Sequence, residues 1–82
     1  MFNQYVAKSG VEVFESGLRY EEDDSRLAFN DFEYAGGKSA GYIMVSPSGM
    51  KNYVKAEPVN GEVLTATFRT YAEAENFLLE NL

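Results

Sequence analysis

Eighty-two residues carry thirteen carboxylates against seven Lys and Arg, a net charge of −6, and contain neither Cys nor His. The missing thiols exclude a disulfide framework, a cysteine nucleophile and a cysteine metal site. The missing imidazoles exclude a Ser-His-Asp triad, a zinc hydrolase centre and a His-dependent nuclease. Carboxylate-only chemistry remains, but a chain of this length rarely encloses the deep pocket such chemistry needs. The expectation is a non-enzymatic protein with no cofactor and no metal. A hydrophobic content of 45%, with six Phe and six Tyr, fits one folded domain over residues 1–82 rather than an acidic disordered tail.

The charge is uneven. Residues 1–37 hold eight carboxylates and three cations, and residues 38–82 hold five and four. The beginning, Met1-Phe2-Asn3-Gln4-Tyr5, lacks the basic and apolar regions of a signal peptide. No apolar run approaches the ~18 residues of a membrane helix. With no Cys as well, a soluble cytoplasmic protein without membrane contact is expected.

Val11-Glu12-Val13-Phe14 alternates as a strand between Ser9-Gly10 and Ser16-Gly17, with Leu18-Arg19-Tyr20-Glu21 as a candidate hairpin partner. The run Glu21-Glu22-Asp23-Asp24 then falls at a strand end or in a loop. It fails as a calcium loop, because counting from Asp23 brings Leu27 and Ala28 to positions where ligands or glycine are needed. Residues 25–35 read two ways. Ala28, Phe29, Phe32 and Ala35 fit a helical stripe with Asp24 as N-cap and Gly36 as C′. Leu27 with Phe29, then Phe32 with Tyr34, fit two strand phases broken at Asn30-Asp31, and the poor helix propensities of Asn, Asp, Phe and Tyr favour this second reading.

Gly36-Gly37-Lys38-Ser39 ends like a phosphate-binding loop, but Phe32 stands where the first glycine belongs and a strand-like run follows. A loop between strands is the expectation. Residues 41–45 form an apolar β-rich run, stopped by Ser46-Pro47-Ser48-Gly49, where Pro47 and Gly49 suit a turn. Residues 50–57 alternate, with Val54 and Ala56 on one face and Tyr53 and Lys55 on the other. Asn60-Gly61 then predicts a type I′ hairpin turn. Residues 62–68 place Leu64, Ala66 and Phe68 on one face and Val63, Thr65 and Thr67 on the other. Thr70 and Glu73 make a capping box, and Tyr71, Ala74, Phe77 and Leu78 form an apolar stripe, so a helix over 71–81 is predicted, with Asn81 and Leu82 fraying. The fold class is therefore α+β: an antiparallel sheet of four to six strands, with a meander at 41–69, packed by one C-terminal helix.

The Ser46-Pro47-Ser48-Gly49 turn and the closing stretch from Phe68-Arg69-Thr70-Tyr71 to Phe77-Leu78 resemble the three-stranded-sheet-plus-helix module of integrase arm-binding and AP2-like domains, over residues 41–82. That resemblance implies a sheet lying in the DNA major groove, with Lys51, Lys55 and Arg69 as the cations. The family's sheet is rich in Arg and Lys, whereas these three stand beside Glu57 and Glu62, and direct nucleic-acid binding is disfavoured by the acidic balance.

The favoured functional reading is a small protein-binding module of the kind that phage and mobile elements use as inhibitors. It engages a basic, nucleic-acid-handling protein through an acidic surface. The residues assigned to partner binding are Glu21, Glu22, Asp23, Asp24, Asp31 and Glu33, with Tyr20 and Tyr34 (and Tyr53 beside them) as exposed aromatics. The alternatives are a structural or assembly subunit binding through a sheet edge or helix face, and the integrase-like DNA-contacting module. A homodimer is a natural way for so short a chain to gain buried surface.

Overall fold

Period-two alternation organises nearly the whole chain, and a computed structural model, which describes residues 3–20 and 26–82, turns it into one sheet. Six strands follow one another: β1 (Asn3–Val6), β2 (Glu12–Tyr20), β3 (Ala28–Tyr34), β4 (Ser39–Val45), β5 (Asn52–Ala56) and β6 (Leu64–Phe68). Every neighbouring pair is antiparallel and the spatial order is the chain order. The helix α1 (Tyr71–Glu80) closes the chain and lies against β4, β5 and β6. This is the expected α+β meander with one C-terminal helix.

The core forms where one face of the sheet meets α1. Val13, Phe32, Ile43, Val54, Ala74 and Leu78 are fully buried there. They come from alternate strand positions and from one stripe of the helix, as their spacing requires. Phe32, buried in the middle strands, contributes about 2–3 kcal/mol of transfer free energy. The β1–β2 turn folds over the end of the helix, with the Lys8 N–H donating to the Leu79 carbonyl at 2.9 Å and the Ser9 hydroxyl to the Leu82 carbonyl at 2.8 Å. Leu82 is thereby held in the core and does not fray. Thr70 caps α1 by accepting from the Glu73 N–H at 3.3 Å, and its hydroxyl donates to the Glu73 carboxylate at 2.8 Å.

Several expectations change. Residues 11–20 do not fold back on themselves: β2 is one nine-residue strand, irregular between Glu15 and Leu18, with Gly17 at φ 98°. That irregularity lets the strand keep pairing with β3 past Ser16. Residues 28–34 are strand, as the favoured reading has it, but they run unbroken through Asn30-Asp31, where that reading puts a break. The irregularity of this pair lies opposite Phe32 and Glu33, where Ala40 is the extra residue of β4. Asn60 and Gly61 have no positive φ, so no type I′ turn forms, and β5 and β6 are joined by the longer stretch 57–63. Gly36 and Gly37, at φ 100° and 93°, form the turn between β3 and β4, the inter-strand loop expected there.

Candidate functional site

A sheet covered on one face must present the other, and here the second face is rich in aromatics. The registers align it in rows. Arg19, Phe29, Met44, Tyr53 and Thr67 lie side by side across β2 to β6. Asp31, Tyr42, Lys55 and Thr65 form the next row across β3 to β6. Gln4, Phe14 and Glu33 form a third across β1 to β3.

The middle of this face is a packed cluster. The Phe29 and Tyr42 rings are 5.6 Å apart between centroids, and the Tyr42 and Tyr53 rings 6.1 Å. The Arg19 guanidinium sits 4.5 Å from the Phe29 ring centre, and the Lys55 ammonium 5.9 Å from that of Tyr42. The guanidinium also donates twice to Asp31, at 2.5 and 3.3 Å. Lys55 pairs with Glu57 at 3.3 Å. With Phe29 only 8% exposed although no helix covers it, the cluster is held by its own contacts. Preset aromatics limit the rotamer entropy lost when a partner arrives. Farther along the same face, Glu33 and then Glu12 form no ion pair among the described residues.

The assigned contact residues are divided by this arrangement. Asp31 and Glu33 share the uncovered face, flanking the aromatic cluster. Tyr20 is 59% exposed but pairs with Ala28 on the helix-side phase of the sheet, so it does not join them. Tyr34 is a correction. It is buried in the core, and its hydroxyl donates to the Glu57 carbonyl at 2.5 Å. Its place in the inward phase of β3, with Asn30 and Phe32, takes it off the surface, and burial followed by Glu57 pushes its hydroxyl pKa up. The run 21–24 lies outside the described residues.

Reading the sequence alone passes over Arg19, Phe14, Phe29, Tyr42 and Met44 as surface groups. A signal for them exists: Phe29 shares a strand phase with Asp31 and Glu33, and a large aromatic in a charged phase marks a face that is not solvated in the ordinary way. Tyr53, named beside Lys55 as an exposed aromatic, does lie on this face, half-buried against Tyr42.

At the end of the Tyr53–Thr67 row, Lys51 and Arg69 line a depression with Met50, Thr67 and Phe68. Among the described residues no group of three Asp or Glu is placed to hold a metal ion, and no helix is long and apolar enough to cross a membrane. Comparison with protein-family models, with curated proteins and with solved structures gives no match.

Proposed function

We propose that this chain is a non-enzymatic protein-binding module whose contact surface is the uncovered face of the sheet, and that its partner presents a basic, nucleic-acid-handling surface. The observation that carries the proposal is the packed aromatic cluster of Phe29, Tyr42 and Tyr53, flanked by Asp31 and Glu33. Half-buried Tyr with a stacked Arg is the composition of interface hot spots, surrounded here by a polar rim of Gln4, Glu12, Thr65 and Thr67. Charge selects the partner. The chain is at −6, and the two cations against the cluster are engaged, Arg19 with Asp31 and Lys55 with Glu57, while Lys51 and Arg69 stand at one end of the face in the phase of Tyr53 and Thr67. Glu12 and Glu33 remain to meet incoming Lys or Arg, in the positions phosphates take when such a partner binds nucleic acid. An inhibitor that occupies a phosphate-binding surface is the role this suits.

The test is capture from nuclease-treated lysate by three baits: wild type, Tyr42→Ala/Tyr53→Ala, and Asp31→Asn/Glu33→Gln. A basic protein held by the first and lost by both variants supports the proposal. A partner retained by both moves the contact to a sheet edge or the helix, as in an assembly subunit.

The DNA-contacting reading has one observation in its favour: β4, β5 and β6 are three consecutive antiparallel strands of the sheet followed by α1, with Lys55 on the uncovered face. It requires duplex DNA to bind with a steep salt dependence, and Asp31→Asn/Glu33→Gln to bind it more tightly.

A further inference from the structure

The uncovered face of the sheet has two charged ends, and neither is neutralised among the described residues. At one end, the register that sets Asn52 opposite Phe68 runs on past β5 and β6 and brings Lys51 and Arg69 side by side, in the phase of Tyr53 and Thr67. Both are exposed, both line the same depression, and neither forms an ion pair among the described residues. Like charges set opposite each other repel, so this end is stabilised by whatever brings carboxylates to it. At the other end stand Glu33, opposite Phe14, and Glu12, opposite Val6, again without an ion pair among the described residues. Between the two ends lie Tyr42, Met44 and Tyr53, all half-buried.

Counting strands relates the ends to each other. Glu33 on β3 and Lys51 beside β5 stand one strand either side of β4, and Glu12 on β2 and Arg69 beside β6 stand two strands either side. Along the strands, the two carboxylates lie towards the β3–β4 turn and the two cations towards the β4–β5 turn. The midpoint of each pair therefore falls on β4, at Tyr42 and Met44. A half-turn about an axis over those two side chains, parallel to the sheet, exchanges the acidic end with the basic end. The face is complementary to itself.

We propose that two copies of this chain pack through their uncovered sheet faces, with Tyr42, Met44 and Tyr53 of each at the centre, and with Glu12 and Glu33 of one copy against Arg69 and Lys51 of the other. The interface is isologous, so each charged end is met twice. Sheets pack face to face at about 10 Å with their side chains interdigitated, which covers the aromatic cluster. A wholly basic partner leaves Lys51 and Arg69 unmet, and a nucleic acid leaves Glu12 and Glu33 unmet, whereas a second copy satisfies both ends. Burying the second face also adds core to a chain of only 82 residues. The dimer covers the surface assigned above to a partner, so partner and second copy exclude each other, but the inference does not rest on that assignment.

The test is sedimentation equilibrium of the purified chain, with no partner present, from about 5 to about 500 µM. The expected result for wild type is a monomer–dimer equilibrium, with dimer predominant at the upper concentrations. Lys51→Glu/Arg69→Glu and Glu12→Lys/Glu33→Lys each set like charge against like charge across the interface and should weaken dimerisation at least about tenfold. Mixed in equal amounts, the two variants carry opposite charges at both ends and should recover the dimer, which also shows that both are folded. Wild type that stays monomeric throughout overturns the proposal. So does a dimer that both variants retain, since it lies at a sheet edge or on the helix. A mixture that fails to associate, with both variants folded by circular dichroism, overturns it as well.

Discussion

Replacing Gly41 by Ala tests the sheet at its closest approach. Gly41 lies in β4 at φ 127°, and an added Cβ would fall 1.9 Å from the Lys55 carbonyl oxygen, 2.9 Å from its carbon and 3.2 Å from the Ala56 Cα. All three are backbone atoms of β5, so no side chain can swing away to make room. Relief requires β4 and β5 to part by more than an ångström, which loosens Ile43 against Val54 in the core. The unfavourable φ costs about 1–3 kcal/mol and the overpacking about 1–3 kcal/mol, or about 2–6 kcal/mol together. An 82-residue domain has roughly 4–12 kcal/mol of stability in all. The variant should therefore sit near the edge of unfolding. Gly37→Ala is the matched control. Its φ is similarly positive, at 93°, but an added Cβ there meets nothing within 4 Å. Urea unfolding followed by circular dichroism measures both, and the difference between them isolates the clash from the backbone strain. If the two variants lose equal stability, the close packing of β4 on β5 is refuted.

Three further outcomes follow from the same geometry. Tyr42→Ala, which removes the ring between Phe29 and Tyr53, should weaken partner binding by about 2 kcal/mol, roughly thirtyfold, whereas Asp31→Asn/Glu33→Gln should act mainly on the association rate and its salt dependence; surface plasmon resonance separates the two. The Tyr5 hydroxyl is pushed from 10 up to about 12, by burial first and then by Glu75 and Glu15. With a folded pKa above the unfolded one, its contribution is complete below pH 10 and is lost as pH rises through about 12. Urea midpoints should fall over that window, and fall less in Tyr5→Phe; Tyr34 and Tyr71 are raised as well and supply the remainder. Thr70→Ala removes the hydroxyl that accepts from the Glu73 N–H and should cost about 1 kcal/mol by thermal or urea unfolding, with Thr70→Ser recovering most of it.

The legible parts of this chain are those where local chemistry and side-chain phase agree. Thr70 and Glu73 announce the helix start, and the stripe holding Ala74 and Leu78 names its buried side. The alternation in β5 and β6 separates Val54 and Ala66 from Lys55 and Thr65, as the structure does. The β1–β3 half was harder to read because its irregularity mimics punctuation. Ser16-Gly17 looks like a turn, and is instead where a continuous strand kinks against β3. Strand β1, four residues with one half-buried side chain, has too little pattern to be recognised without its partner β2. Asn60-Gly61 is the opposite case, a strong local turn signal set aside because the connection around it is longer than two residues.

The contact surface divides along the same line. Charge and composition establish an acidic, cysteine-free and histidine-free chain and exclude imidazole and thiol chemistry, and the local patterns of alternation and capping select the α+β class with its closing helix. They do not say which aromatics are core, because Tyr34 and Tyr42 look alike in sequence and differ only in strand phase. That phase is fixed by pairing. Ala40, the extra residue opposite Phe32 and Glu33, sets the register in which Tyr42 falls on the uncovered face beside Asp31. The placement of α1 over β4 to β6 then decides which face is core and which stays open. Local propensity acts over a few neighbouring residues, whereas a face exists only once strands distant in the chain have chosen their register.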